Sequence, residues 1–215
     1  MSDIQSSPEA AAAARFARDV AGHELTVLRE DGLYRHLRFE TPGMRGAYAF
    51  ELITWPYNLV VKTGWAFHFD IDATSDMFDL FRNTAFSGEI NPHYWSEKVR
   101  AGRDEVEGFS EDLFEQQVKQ HVVEAIRNGD APRGIGAEVT RDIFEWGEID
   151  NEVSARRTLD DFRFKDWTFG ETWEWNFQDF KPGFLHSCRA IRHGIDLWDA
   201  AKAASAPSQR EAGAL

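Results

Sequence analysis

Cysteine and long apolar runs are scarce in this chain of 215 residues. Cys188 is the single cysteine, which excludes an intramolecular disulfide and a zinc site built from several cysteines. No apolar run approaches the roughly 18 residues that suggest a membrane-spanning helix. Residues 1–20 contain no apolar stretch of signal-peptide length. We therefore expect a cytoplasmic protein that does not bind membranes.

Motifs that would name a reaction are also missing. The sequence has no P-loop, and Gly134-Ile135-Gly136 offers two glycines without the preceding strand of a dinucleotide-binding fingerprint. No serine or cysteine can be paired with a base from spacing alone, because catalytic triads are recognised by geometry. The sequence predicts no catalytic residue and no cofactor.

Basic residues are outnumbered by acidic ones. The chain has 24 Lys and Arg against 37 Asp and Glu, a formal net charge of −13. Such a chain repels phosphate backbones, so direct nucleic-acid binding is not expected, whereas basic partners are attracted. The composition is 42% hydrophobic, with 17 Phe and 8 Trp. This apolar content excludes a disordered chain.

The first third of the sequence alternates between apolar and polar residues. Phe67 and Phe69, for example, alternate with His68 and Asp70. Period two with turn residues between the runs predicts an antiparallel meander of four or five strands over about 24–72. A short helix is predicted before it, from Pro8 to about Val20.

From residue 74 onward the apolar period is helical. Capping sequences predict helices that begin after Asp76, after Asn91 and after Ser110, the second of them closed by Gly102. Further helices are predicted at about 135–146, 151–162 and after Gly183. Residues 172–178 alternate, which indicates a strand or an extended segment packed over the core. The last helix is expected to bury one stripe of apolar residues: Phe184, Cys188, Ile191, Ile195 and Trp198.

Strands followed by helices predict an α+β fold. We expect an N-terminal antiparallel β-meander packed against a predominantly helical C-terminal half. Because no linker or repeat interrupts the chain, residues 1–215 are predicted to form one domain. Its ordered core is expected at about 10–202, with loose tails at 1–8 and 203–215.

Five segments resemble a family of uncharacterised proteins from bacteria, temperate phages and prophages. They are DGLYRHLRF (31–39), FELITWP (50–56), DMFDLFR (76–82), INPHYWSEKV (90–99) and WEWNFQDF (173–180). The likeness extends over most of the chain between residues 23 and 199. It implies a mobile-element context and a shared fold, and it assigns no catalytic residue.

The acids concentrate in segments 104–115 and 138–152. Glu138, Asp142 and Glu145 are spaced by four and three, which places them along one helical face. A row of carboxylates can imitate a phosphate track, so we predict a binding protein that occupies a basic partner as an inhibitor or regulator of host defence. A nucleic-acid-binding protein is one candidate for this partner. The predicted partner-binding residues are Asp104, Glu105, Glu107, Glu111, Asp112, Glu115, Glu138, Asp142 and Glu145. The competing interpretation is that these acids only keep the protein in solution.

A strand face offers the alternative function, a metal-dependent hydrolase or nuclease. His68, Asp70 and Asp72 project from one face of the predicted strand, about 7 Å apart in succession. Imidazole and carboxylates can bind a divalent metal ion. The spacing is wide for a single ion, so a solvated strand face is the favoured interpretation.

Two further groups of residues each have a structural and a functional interpretation. His186, Arg189, Arg192 and His193 form a basic strip on the last helix, which either receives an anion or pairs with the protein's own acids, and internal pairing is favoured. The aromatic run 162–180 either offers a stacking platform or packs into the core. Core packing is favoured because acids interleave with the rings.

Overall fold

The computed structural model describes residues 8–44, 46–85 and 89–205. It confirms the α+β fold, with an antiparallel sheet in the N-terminal half and mostly helices in the C-terminal half. The chain forms two compact units. We name Met1–Val106 together with Lys181–Leu215 the sheet unit, and Glu107–Phe180 the helical unit. The single domain stays a prediction.

Six antiparallel strands form the sheet and neighbour one another in chain order. They are β1 (Glu24–Asp31), β2 (Tyr34–Glu40), β3 (Phe50–Trp55), β4 (Asn58–Lys62), β5 (Ala66–Asp70) and β6 (Val99–Ala101). The first five confirm the predicted meander. In β3 the alternation is plain, because Phe50, Leu52 and Thr54 are buried and their neighbours are half-buried.

Seven α-helices are described. They are α1 (Pro8–Asp19), α2 (Met77–Thr84), α3 (Pro92–Ser96), α4 (Glu111–Asn128), α5 (Ile135–Val139), α6 (Glu152–Asp161) and α7 (Pro182–Ser205). The side chains of Asp76, Asn91 and Ser110 accept backbone N–H bonds as N-caps, which confirms the three predicted helix starts. A π-helical segment, Thr140–Glu145, continues α5.

Helix α7 covers the apolar face of the sheet with the predicted stripe, whose five residues are all buried. Gly194 permits this packing, because a Cβ atom there would lie 2.7 Å from Cδ1 of Leu52. The rings of Phe67 and Phe184 meet edge to face, 5.4 Å apart. The core of the sheet unit therefore lies between the sheet and α7.

The helix predicted to run from Asn91 to Gly102 is wrong in its second half. Helix α3 ends at Ser96, and Val99–Ala101 joins the sheet beside β5. The N–H of Asp70 donates to the carbonyl of Lys98 at 3.0 Å. The edge of β5 offers unpaired backbone groups, and satisfying them outweighs local helix propensity.

Of the two structures predicted for residues 172–178, a strand and an extended segment, the strand does not form over 172–177. Thr172–Glu174 is a 3-10 turn that follows Glu171, whose φ is +54°. The guanidinium of Arg156 donates to the carbonyls of Thr172 (2.7 Å) and Trp175 (2.8 Å), which takes both oxygens out of any strand ladder. The strand in this region is β8 (Gln178–Phe180), paired with β7 (Glu107–Phe109).

The helical unit has an aromatic core of its own. Phe114 and Val118 of α4 pack with Ile143 of the π-helical segment and Leu159 of α6. Most of the aromatic run belongs to this core: Phe162, Phe169 and Phe177 are buried, and Phe164, Trp167 and Trp175 pack against it. Core packing is thereby confirmed for these six rings. Two rings of the run are not part of this core: Trp173 is 73% exposed, and Phe180 is half-buried at the end of the last strand.

The predicted tails are only partly described. Pro8 is the first residue of α1, and α7 continues through 203–205, so these residues are helical rather than loose. Residues 1–7 and 206–215 lie outside the described residues. Within the described ranges, no helix combines the length and apolar character needed to cross a membrane.

Candidate functional site

The negative charge is concentrated in the helical unit. Residues 107–180 contain 18 Asp and Glu against 8 Lys and Arg, so this unit contributes −10 to the net charge of −13. The sheet unit, with 141 of the 215 residues, contributes the remaining −3. The excess is therefore local to one compact unit.

The acids of the two units also differ in their partners. In the sheet unit, 12 of the 17 described acids lie within 4.0 Å of a Lys, Arg or His nitrogen. In the helical unit, all of whose residues are described, only Glu115, Glu138, Asp142 and Glu152 have such a partner. Fourteen of its 18 acids thus form no ion pair with any residue that the structure describes.

The predicted residues of segment 104–115 fall in both units. Asp104 and Glu105 lie in a 3-10 turn of the sheet unit, where Glu105 is 3.5 Å from Nζ of Lys181. Glu107 lies on β7 of the helical unit, and Glu111 and Asp112 are exposed in the first turn of α4. Acids in a first turn also interact favourably with the helix dipole. Glu115 pairs with Lys119 four residues later.

The predicted stripe of Glu138, Asp142 and Glu145 is interrupted by a cation. Arg141 binds both Glu138 and Asp142, with its Nε 2.8 Å from Oδ1 of Asp142. This hydrogen bond and the charge of Asp142 and Glu138 raise the pKa of Arg141. Glu145 alone of the three is exposed and unpaired. The π-helical turn also changes the spacing on which the stripe was predicted.

The predicted set of partner-binding residues omits two acids that lie just after this stripe in the sequence. Glu148 and Asp150 are exposed and make no ion pair with the described residues. The signal was present, since both lie in the acidic segment 138–152. They were left out because they lie beyond the helical stripe, in the loop before α6.

A shallow cleft of about 390 Å³ lies beside these acids. Trp146, 72% exposed, lines it together with Asp142 and Glu148. Arg157 and Arg163 also line it, so the cleft itself has mixed charge. An exposed Trp beside unpaired carboxylates combines the two features that protein interfaces use, an apolar anchor and charge complementarity.

Two of the three residues predicted to bind a metal ion, His68 and Asp70, form hydrogen bonds with other side chains. Nε2 of His68 lies 2.7 Å from Oδ1 of Asn58, and its ring stacks on Trp55. Asp70 accepts a 2.7 Å hydrogen bond from Nε of Arg100. Asp72 lies beyond the end of β5, so the three do not share one strand face. Among the residues of 8–44, 46–85 and 89–205, no three His, Cys, Asp or Glu side chains form a group that could hold a metal ion.

Comparison of the chain with protein-family models, with curated proteins and with solved structures gave no match. The resemblance to bacterial, phage and prophage proteins stays a prediction.

Proposed function

We propose that the protein is a non-enzymatic binding protein whose helical unit occupies a basic surface of a partner protein. The observation that supports this function best is the set of 14 acids in residues 107–180 that have no ion-pair partner in that unit. Charge of one sign left unbalanced on a compact unit repels itself and lowers the stability of that unit. A basic partner removes this repulsion and attracts the unit at long range.

The partner class follows from the sign and density of the charge. Surfaces that bind nucleic acid hold rows of Lys and Arg that neutralise phosphates. Carboxylates on the rigid elements of the helical unit can occupy such a surface in place of phosphates. The proposed role is therefore that of an inhibitor or regulator of a nucleic-acid-binding protein, and the resemblance to phage and prophage proteins directs the search to host defence.

The centre of the proposed surface is the region around Trp146. Glu145 and Glu148 flank this ring in sequence, and both are exposed and unpaired. Trp is among the residues that contribute most to protein interfaces. Glu138 and Asp142 contribute less net charge to the surface, because they share Arg141.

The test begins with affinity purification from the bacterial host, followed by titration of the purified partner at about 50 to 400 mM salt. We expect affinity to fall steeply as salt rises and nucleic acid to compete. The double variant Glu145→Lys with Glu148→Lys should weaken binding by about tenfold or more. The reversal of Glu138, Asp142 and Glu145 together is a less specific test, since it also breaks the contacts of Arg141.

The matched control is Glu24→Lys with Asp72→Lys in the sheet unit. Both acids are exposed and unpaired, so the control changes net charge by the same amount. If both double variants bind equally well, or if affinity does not depend on salt, the acidic surface of the helical unit is not the binding surface. No observation on the described residues favours the metal-dependent hydrolase.

A further inference from the structure

The sheet unit contains an open cleft of about 640 Å³ between α1 and α7. One wall is formed by α1, with Ala10, Ala13 and Phe16. The other is formed by α7, with a cluster of nitrogen-bearing side chains: Arg189, Arg192 and His193. The volume lies within the range of about 300–1,000 Å³ that small-molecule sites occupy.

Arg189 has unusually few partners for a buried guanidinium. Its side chain is only 11% exposed, yet it forms no hydrogen bond with any described residue. Its one ion pair, from Nη2 to Oε1 of Glu9, is 3.7 Å long, and the Glu9 side chain is 66% exposed. A guanidinium has five N–H donors, and burying a charge without hydrogen bonds is costly. The arrangement therefore leaves donors for an acceptor inside the cleft.

His193 lines the cleft beside Arg189. It follows Arg189 by four residues on α7, so the two side chains lie on one helical face. Its Nε2 atom is buried and is therefore not accessible to a ligand in the open cleft. Arg192 is less free, since its Nη2 lies 2.5 Å from Oδ1 of Asp196.

The charged residues around the cleft favour an anion with a single charge over one with two. Glu9, Glu89 and Asp196 also line it against Arg189 and Arg192, so the net charge of the lining is negative and repels a dianion such as phosphate more strongly than a single carboxylate. A carboxylate matches the planar fork of one guanidinium. The apolar side chains of Ala13, Phe16 and Ile90 provide a surface for a small hydrocarbon body.

We propose that this cleft binds a small organic monocarboxylate, whose carboxylate accepts hydrogen bonds from Arg189 and whose apolar body lies against α1. This site is separate from the acidic residues of the helical unit, and it does not depend on the function proposed for them.

The test is calorimetric titration of the full chain with benzoate, with benzamide as the neutral analogue of the same shape and inorganic phosphate as the competing class. We expect benzoate to bind and benzamide to bind at least about tenfold more weakly, because the charge-assisted hydrogen bonds are lost. Arg189→Gln should weaken benzoate binding to a similar degree. The exposed Arg29, changed to Gln, is the control for charge and should leave it unchanged.

A second pair of variants tests the cleft without changing its charge. Ala13→Leu extends into the cleft and should weaken benzoate binding, whereas Ala14→Leu, at an exposed position of α1 that does not line the cleft, should not. Circular dichroism shows which variants fold. The proposal is overturned if benzoate does not bind, if phosphate binds more tightly, or if folded Arg189→Gln and Ala13→Leu proteins both bind benzoate like the wild type.

Discussion

The imidazole rings of His23 and His193 lie 5.6 Å apart inside the sheet unit. Both nitrogens of His23 and Nε2 of His193 are buried without a hydrogen-bond partner among the described residues. Burial and, to a smaller extent, the neighbouring His23 lower the pKa of His193 from 6.5 to about 4. Burial also lowers the pKa of His23, against the charge of Glu40, which raises it. The pair is therefore neutral at neutral pH.

This pair predicts that stability falls as the pH is lowered from about 6.5 to 4. In that window the unfolded chain binds protons that the folded His193 does not, so the free energy of unfolding decreases with decreasing pH. The loss from His193 is of the order of 2 kcal/mol, less than the full pKa shift would give, because the partly exposed side chain is screened by solvent. Urea titrations across this pH range measure it. His193→Gln should show a shallower pH dependence than the wild type, and an unchanged one would contradict this account.

Arg156 links helix α6 to the segment that contains Thr172 and Trp175. Its guanidinium donates to Oε1 of Glu152 and to the two carbonyls of Thr172 and Trp175, and its hydrogen bond lowers the pKa of Glu152. Arg156→Ala should lower the free energy of unfolding by about 2–3 kcal/mol, because buried carbonyls lose their donor. Thermal or urea unfolding measures the change. The exposed Arg157, changed to Ala, should cost no more than about 0.5 kcal/mol.

Gly194 and Gly136 form a matched pair of helical glycines with opposite surroundings. A Cβ at Gly194 would lie 2.7 Å from Leu52 and 3.1 Å from Phe39, whereas one at Gly136 would have no neighbour within 4 Å. Gly194→Ala should destabilise the protein by about 1–3 kcal/mol through overpacking. Gly136→Ala should stabilise it by about 0.5–1 kcal/mol through helix propensity. Equal effects of the two substitutions on unfolding would show that α7 does not pack closely on the sheet.

Cys188 is fully buried in α7, and burial raises the pKa of its thiol well above the ordinary value. The thiolate is the reactive form. We therefore expect no labelling of the native protein by a thiol reagent over the time in which the urea-unfolded protein is labelled completely. Because the chain has a single cysteine, the number of labelled thiols per chain directly measures the reaction of Cys188. Rapid labelling of the native protein would show that α7 opens locally.

The strand and helix starts of the fold were predictable because they depend on local chemistry. Period-two alternation located the first five strands, and Asp76, Asn91 and Ser110 cap helices as their side-chain chemistry predicts. Segment 97–101 was predicted wrongly, and the strand alternative for segment 172–178 fails, because their backbone partners come from elsewhere in the chain. Asp70 pairs with Lys98, and Arg156 pairs with Thr172, in each case across a separation that periodicity does not record.

The candidate site, like the fold, was predictable from the sequence only in part. The sequence by itself determined the amount of negative charge and its concentration in residues 107–180, since charge is a property of composition. Only the tertiary structure decided which acids form ion pairs: Arg141 binds Glu138 and Asp142, while Glu145 and Glu148 form no ion pair within the helical unit. Likewise, the basic strip of α7 was visible in the sequence, but folding decided that Arg189 would be buried beside a cleft with almost no partner. Ion pairing depends on distances of a few ångströms between side chains, and those distances are fixed only when the elements pack.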